Sequence, residues 1–402
     1  MFESHLNERG QRLDWLLLAA VAGLMAVGAA FIYSAAFAND SARKLHWLQQ
    51  RHVRQMIWYG LGLLVAAIFC LVDYRSLTRW SVVGYWAAIL LLVLVLIPGI
   101  GATRFGARRW IDLGFFQLQP SEFAKIAFIF AQAHFLSRPV EELRQPSVFC
   151  QSLGLTLLPF ALILKEPDLG SALVLFPIAL VMMLVAGVPR SFIFKLVGVI
   201  TGLIALLLVD ILFAPPGWQI KLEEYQRHRL LTYFGIYFAP PNATPEERKK
   251  AEALQRNKSY NVEQALISVG SGGLTGKGWR QGTQYSLGFL PRGVAHNDFI
   301  FSVIAEEKGF VGSVTVLTLY AVILLGGIRI AGQARDRLGK LLAVGVVAML
   351  FSHVFINIGM NIRLMPVTGI PLPLLSYGGS SVLCSLIAIG ILQNVYLYRR
   401  SY

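Results

Sequence analysis

Apolar runs of about 18 to 25 residues recur along the chain, separated by short polar turns. Each is long enough to cross the roughly 30 Å hydrocarbon core of a bilayer as a helix. The pattern predicts ten spans, at 13–36, 52–72, 79–98, 120–136, 148–164, 169–187, 191–213, 297–327, 340–361 and 376–398. The fourth and fifth are short enough to tilt or to lie partly in the interface. One polar stretch, 214–296, breaks the rhythm between the seventh and eighth spans. The expected fold class is all-α integral membrane, with residues 1–402 as one polytopic domain.

That long segment is not uniform. Residues 218–238 mix Trp218, Tyr225, Leu230, Tyr233, Phe234 and Tyr237 with charges, which suits a helix lying on the membrane surface. Thr244-Pro245-Glu246-Glu247 reads as a capping box with proline at the first helical position. The helix it opens, to about Arg256, is polar all round. Residues 270–293 hold eight glycines, so backbone there can bend sharply or approach a ligand closely. Ser271–Gly278 fails as a phosphate loop, because Ser271 stands where the first glycine belongs and Gly278 follows Lys277. No tandem repeat is present.

Composition agrees with the pattern. The chain is 55% hydrophobic and 14% charged, well under the roughly 25% charge of soluble domains. The polar start, Met1–Arg12, and the length of the first run predict no cleaved leader. Cys70, Cys150 and Cys384 all fall in apolar runs and offer neither a disulfide framework nor zinc spacing. A net charge of +14 is read as loops facing anionic headgroups rather than nucleic acid. An even number of spans puts both termini on one side. With the termini cytoplasmic, the inner short loops and ends carry 14 Lys and Arg and the outer short loops carry 9. The positive-inside rule therefore favours that orientation, and makes 214–296 a long extracytoplasmic loop. Nine outer cations are many, and point to an anionic ligand on that face.

Four stretches carry candidate chemistry. Ala295–Phe301 joins the wet loop to the eighth span, and places Asp298 beside water with lipid below it. Asp298 is either the cap of that helix or a reactive group. Counted along a straight helix, Glu306, Glu307 and Lys308 lie well into the membrane, where charges are expensive. They are read mainly as a cluster that pairs with other helices. Lys165-Glu166-Pro167-Asp168 interrupts an apolar stretch, as a tight turn or as a second functional acid on the same face. Arg104, Arg108 and Arg109 beside Trp110 are headgroup anchors or a pyrophosphate clamp. Glu122 and Lys125, at i and i+3, can pair with each other or join that clamp. Asn357–Pro373 and Ser376–Ser381, with three prolines and Arg363, predict broken helix at membrane depth.

At Trp110–Lys125, Glu166–Ser171, Gly270–Pro291, His296–Gly309 and Pro366–Ser381 the chain resembles the SEDS family (shape, elongation, division and sporulation). The resemblance covers almost the whole chain. Gly282-Thr283-Gln284 and Pro366–Pro371 look more like its elongation branch than its division branch. It implies ten spans with a large external loop between spans 7 and 8. It also implies polymerisation of lipid II into peptidoglycan strands in the inner membrane, with a class B penicillin-binding protein as partner. The family's essential aspartate falls on Asp298, and its second important acid on Asp168. In that chemistry a sugar hydroxyl attacks a sugar pyrophosphate, so one base plus cations suffices. Asp298 is the expected base. Arg104, Arg108, Arg109, Lys165 and Arg363 are the expected pyrophosphate contacts, with Glu122 and Lys125 as further candidates. A divalent cation, Mg2+ or Mn2+, between Asp168 and pyrophosphate is compatible, though no ligand spacing calls for one. The rival expectations are a flippase for the lipid-linked precursor and a non-catalytic activator of the penicillin-binding protein. The chain departs from the family at Asn297, usually threonine, at Arg292–Val294, at 245–256, and at Asn361 and Arg363, usually small or apolar.

Overall fold

The computed structural model describes residues 13–37, 46–104, 107–114, 116–213, 230–234, 244–290 and 295–400. Ten long helices fall on the ten expected segments. They are α1 (Trp15–Phe37), α2 (Arg51–Leu71), α3 (Ser81–Leu96), α4 (Pro120–Leu136), α5 (Pro146–Lys165), α6 (Leu169–Ala186) and α7 (Arg190–Phe213), then, after the long loop, α9 (Ile300–Gln333), α10 (Arg337–Asn361) and α11 (Gly379–Leu397). Eight of these are long and apolar enough to cross a membrane. The other two are α3, at 16 residues, and α4, at 17 with Glu122 and Lys125 in its first turns. α10 and α11 are buried along most of their length, whereas the apolar window of α7 buries nothing in the bundle. The core is therefore built around the last two helices.

Successive helices alternate in direction, so the bundle has two ends. At the end where α1 starts and α11 closes, Asp14 caps α1 by accepting from the Leu17 amide at 3.2 Å and pairs with Arg329 of α9. Gln393 of α11 exchanges two hydrogen bonds with the Asp14 backbone, at 2.9 and 3.1 Å. Next door, the Asn394 amide donates to the carbonyls of Phe69, Cys70 and Val72 and accepts from Tyr74 N. One side chain of α11 thus satisfies the frayed carbonyls at the close of α2.

Three features depart from the expected pattern. The first is a small antiparallel sheet between α3 and α4: β1 (Gly101–Arg104), β2 (Ala107–Asp112) and β3 (Gln117–Leu118). Gly101 pairs with Ile111 and Ile111 with Leu118, with a bulge at Ala102/Thr103. Strands of two to six residues are too short to show a period of two, so this stretch reads in sequence only as a cationic turn. The second is the loop helix α8 (Pro245–Ser271). It starts at the expected proline but runs on to Ser271, fifteen residues past Arg256. Val262, Ala265 and Ser268, each three residues apart, are buried on the face that meets α9. Of the surface helix expected over 218–238 only 230–234 is described, as a helical turn whose Tyr233 hydroxyl donates to Leu364 O at 3.1 Å.

The third departure is in α9, expected as one straight span. At Gly309 the backbone leaves the helix, with φ 63° and ψ −155°. The glycine-rich segment docks into the gap. Lys277 N and Gly278 N donate to the carbonyls of Glu306 and Glu307, and Phe310 N and Val311 N donate to the carbonyls of Gly273 and Leu274. The groups orphaned by the break are all taken up, which irregular backbone requires away from water. The charged triplet belongs to the same joint. Glu306 Oε1 accepts from Lys277 Nζ at 2.7 Å and from Thr283 N and Gln284 N. Glu307 accepts from Ser34 Oγ of α1 at 2.6 Å and from Arg280 N at 2.9 Å. These acids bind the loop to the bundle, as the pairing reading of Glu306 and Glu307 expects.

Candidate active site

The end of the bundle opposite Asp14 and Asn394 gathers the candidate acids. Residues 295–299 form a turn and α9 begins at Ile300, so Asp298 precedes the helix; the N-cap position is Phe299. The turn is held by its carbonyls. His296 O accepts from Tyr377 N at 2.9 Å and Asn297 O from Ser376 Oγ at 2.5 Å. Asp298 O accepts from Asn357 Nδ2 at 3.0 Å and from Asn361 Nδ2 at 3.1 Å. Ser302 Oγ donates to Asn361 Oδ1 at 2.6 Å, which fixes the orientation of that amide. The half-buried Asp298 carboxylate lies over Gly369, where an added Cβ would stand 3.6 Å from Oδ2.

Asp168, almost wholly buried, caps α6. Its Oδ1 accepts from Ser171 N, and its Oδ2 from Gln119 Nε2 and Ser121 Oγ, each at 3.2 Å. Arg109 of β2 braces this turn. Its Nε donates to Glu166 O at 3.1 Å, its guanidinium also donates to Pro167 O, and Nη1 stands 3.9 Å from Asp168 Oδ1. The two acidic turns meet through residues 368–370. A Cβ on Gly170 would lie 2.5 Å from Ile370 Cγ1 and 3.0 Å from Thr368 O, while Ile370 O accepts from Asn357 Nδ2 at 2.7 Å. The broken segment after α10 is thus the wall that Asp168 and Asp298 share.

Beside Asp168, the Glu166 carboxyl is buried with neither oxygen hydrogen-bonded. Burial, and then the Asp168 charge, push it up to about 9, against a smaller opposing pull from Arg109. It is neutral at pH 7. Its proton therefore favours the fold fully below the ordinary carboxylate range, and that contribution is lost as pH rises through about 9. Glu166→Gln, neutral at every pH, should melt at a temperature that falls less between pH 5 and pH 9 than that of the parent. Parallel pH profiles of thermal unfolding in detergent would remove the assignment.

The other candidates separate. Lys165, Arg108 and Arg363 are exposed on segments at this end: the close of α5, β2 and the turn after α10. The side chain of Arg104 lies outside the described residues, as do Arg292–Val294. Glu122 and Lys125 are buried inside the bundle; Lys125 Nζ stands 2.7 Å from both Glu122 Oε1 and His353 Nε2 of α10. The pairing account of Glu122 and Lys125 is the one their geometry displays. Arg51, counted in sequence only among the outer cations, reaches His296 Nδ1 at 3.1 Å. Gln55 of α2 binds Ser376 O and Gly378 N, at 3.2 and 3.3 Å. Their spacing four apart, at the start of a span, was the available signal. For a divalent cation the donor set is poor. Both Asp168 oxygens already accept from protein donors, and no cluster of three or more His, Cys, Asp or Glu fit to hold a metal ion occurs among the described residues.

Fold and site together define a polytopic membrane protein with a polar, acid-bearing recess at one end of its bundle. Comparisons place it more narrowly. The description of the FtsW/RodA/SpoVE cell cycle proteins matches residues 14–401. The Escherichia coli K12 peptidoglycan glycosyltransferase MrdB is 33% identical over 379 residues, covering 94% of this chain and 93% of that protein. A solved chain from a study of how a peptidoglycan synthase complex coordinates polymerisation and crosslinking superposes with a TM-score of 0.74 at 30% identity, covering 97% and 99%. The Thermus thermophilus rod shape determining protein RodA superposes with a TM-score of 0.65 at 30% identity, covering 97% and 98%. The chain belongs to the FtsW/RodA/SpoVE family.

Proposed function

We propose that the protein is a peptidoglycan glycosyltransferase that polymerises lipid II into β-1,4 glycan strands. Relatives named for that activity match along nearly the whole chain. The observation that carries the mechanism is the Asp298 turn. Its backbone is locked by Asn357, Asn361, Ser376 and Tyr377, which leaves the position of the carboxylate set by bundle packing. The acceptor sugar hydroxyl attacks the anomeric carbon of the donor. Asp298 takes the hydroxyl proton, and the bond to the undecaprenyl pyrophosphate oxygen breaks with its electron pair leaving on the pyrophosphate. Attack opposite the leaving group turns an α-linked donor into a β bond. Arg104, Arg108, Lys165 and Arg363 supply cations for the departing pyrophosphate. Arg109 acts by holding the Asp168 turn, and Glu122 and Lys125 act from within the bundle. No step needs a metal.

We place the ten helices as ten crossings of the bacterial inner membrane, with both termini in the cytoplasm. The Asp298 end and residues 214–296 then face outward, in line with the 14 to 9 balance of cations. The partner is a class B penicillin-binding protein that crosslinks the strands. The test is elongation of lipid II by the purified chain with that partner, read as polymer on a gel. A flippase would instead move labelled lipid II across vesicles without polymer, and an activator would polymerise nothing of its own. Neither reading needs an acid fixed at one end of the bundle.

Asn361 is a departure from the family that the structure explains. It is one of two amides on Asp298 O, and Ser302 orients it. Asn361→Ala should lower kcat by roughly 10 to 100 fold with little change in KM for lipid II, since a small misplacement of a reacting group costs on that order. A variant with unchanged kcat would leave Asn357 as sufficient support.

A further inference from the structure

A groove of about 480 Å³ runs along the bundle between α1 and α9, lined by Val27, Phe31, Ile304, Val311 and Val316 with Thr275 and Lys308 at its polar edge. Phe310 and Val311 beside it are mostly exposed, so in a bilayer the groove opens on lipid. Lys308 is the cation of the triplet that the α9 joint does not use. Glu306 is committed to Lys277 and Thr283, and Glu307 to Ser34 and Arg280 N. Lys308 is exposed; the Glu307 carboxylate acts on its charge, while the hydrogen bonds of Glu307 go to Ser34 and Arg280 N. The stem of Lys308 lies against Gly312, where an added Cβ would come 2.3 Å from Lys308 Cβ.

Its depth is set by the helix. Arg329, paired with Asp14 at the start of α1, is 21 residues further on, about 32 Å at 1.5 Å per residue. That is roughly the thickness of the hydrocarbon core. Ser34, bound to the neighbouring Glu307, is three residues from the end of α1 at Phe37. Lys308 therefore stands at the headgroup edge of the leaflet on the Asp298 side, above the apolar lining of Val27, Phe31, Val311 and Val316.

We propose that this groove is a binding site for an anionic phospholipid, with one acyl chain along Val27, Phe31, Val311 and Val316 and the headgroup phosphate at Lys308. An exposed ammonium above apolar walls favours a net negative headgroup over a zwitterionic one. The site is separate from the Asp298 recess and does not depend on the activity proposed above.

The test uses the full-length protein in vesicles of phosphatidylcholine with one-fifth phosphatidylglycerol. A photoreactive acyl chain is carried either by phosphatidylglycerol or by phosphatidylcholine. Peptide mapping should show phosphatidylglycerol labelling residues 27–31 and 311–316 about fivefold more than phosphatidylcholine, the preference expected of one lysine near anionic headgroups. Lys308→Gln should erase the preference and Lys308→Arg should keep it, both melting as the parent does because the side chain is exposed. Equal labelling by the two lipids overturns the proposal. So does loss of labelling on adding inorganic phosphate, which would make it a free-anion site. Loss of labelling in the complex with the penicillin-binding protein also overturns it, since the groove would then receive a protein helix.

Discussion

Asp298→Asn should give a protein that folds, inserts and melts normally but fails to lengthen glycan strands. The three carbonyls of His296, Asn297 and Asp298 hold the turn, and none of them changes. Asparagine keeps the volume of the side chain, so contact with Gly369 is retained. What is lost is the ability to take a proton, worth about 10² to 10⁴ in rate for a positioned base. The measurement is polymer yield from lipid II with wild-type and variant protein at equal amounts, beside a melting curve for each. Normal polymer from a well-folded variant would move the base elsewhere. Loss of fold would show instead that the carboxylate is structural.

Gly309→Ala should do the opposite, removing the fold rather than the chemistry. A side chain at φ 63° and ψ −155° sits in a region open essentially to glycine alone, at a cost of about 1 to 3 kcal/mol. The added Cβ would also stand 2.4 Å from Gly276 N and 2.6 Å from Leu274 O. Either the loop must withdraw, leaving the carbonyls of Glu306 and Glu307 and the amides of Phe310 and Val311 without their partners, or α9 must straighten and lose the loop. A total of at least about 3 kcal/mol is expected, enough to lower the melting temperature in detergent sharply or to prevent accumulation. Gly198→Ala in α7, where an added Cβ meets nothing within 4 Å, is the control and should be silent. Equal melting of the two variants would show that the joint is not under strain.

The ten long helices were legible because each is an apolar run that ends in polar residues, and eight of them are long and apolar enough to cross a bilayer. Asp298 and Asp168 were legible as acids at the ends of such runs. Their common wall was not, because the contact of Gly170 with Ile370 joins positions 200 residues apart in sequence and no local pattern announces it. The break at Gly309 was hidden for a different reason. A single glycine in a long apolar helix usually means packing, and only the loop paired to it makes it a joint. The strands between α3 and α4 were too short to carry a period, so the Arg109 brace read as one of several loose cations. Asn361 read as a departure without a purpose until its amide was seen on the Asp298 carbonyl.

The clasp of Gln393 and Asn394 on Asp14 and on the close of α2 has a consequence for how the chain is made. The amide that completes α2 is translated about 320 residues after Tyr74. At roughly 5 to 20 residues per second that is a wait of about 15 to 60 s. Throughout that time the Asp14 end of α1 and the Leu71 end of α2 stand unfinished. A premature stop a few codons before Gln393 therefore removes more than a tail: it withholds the last stitch from the first two helices to leave the ribosome.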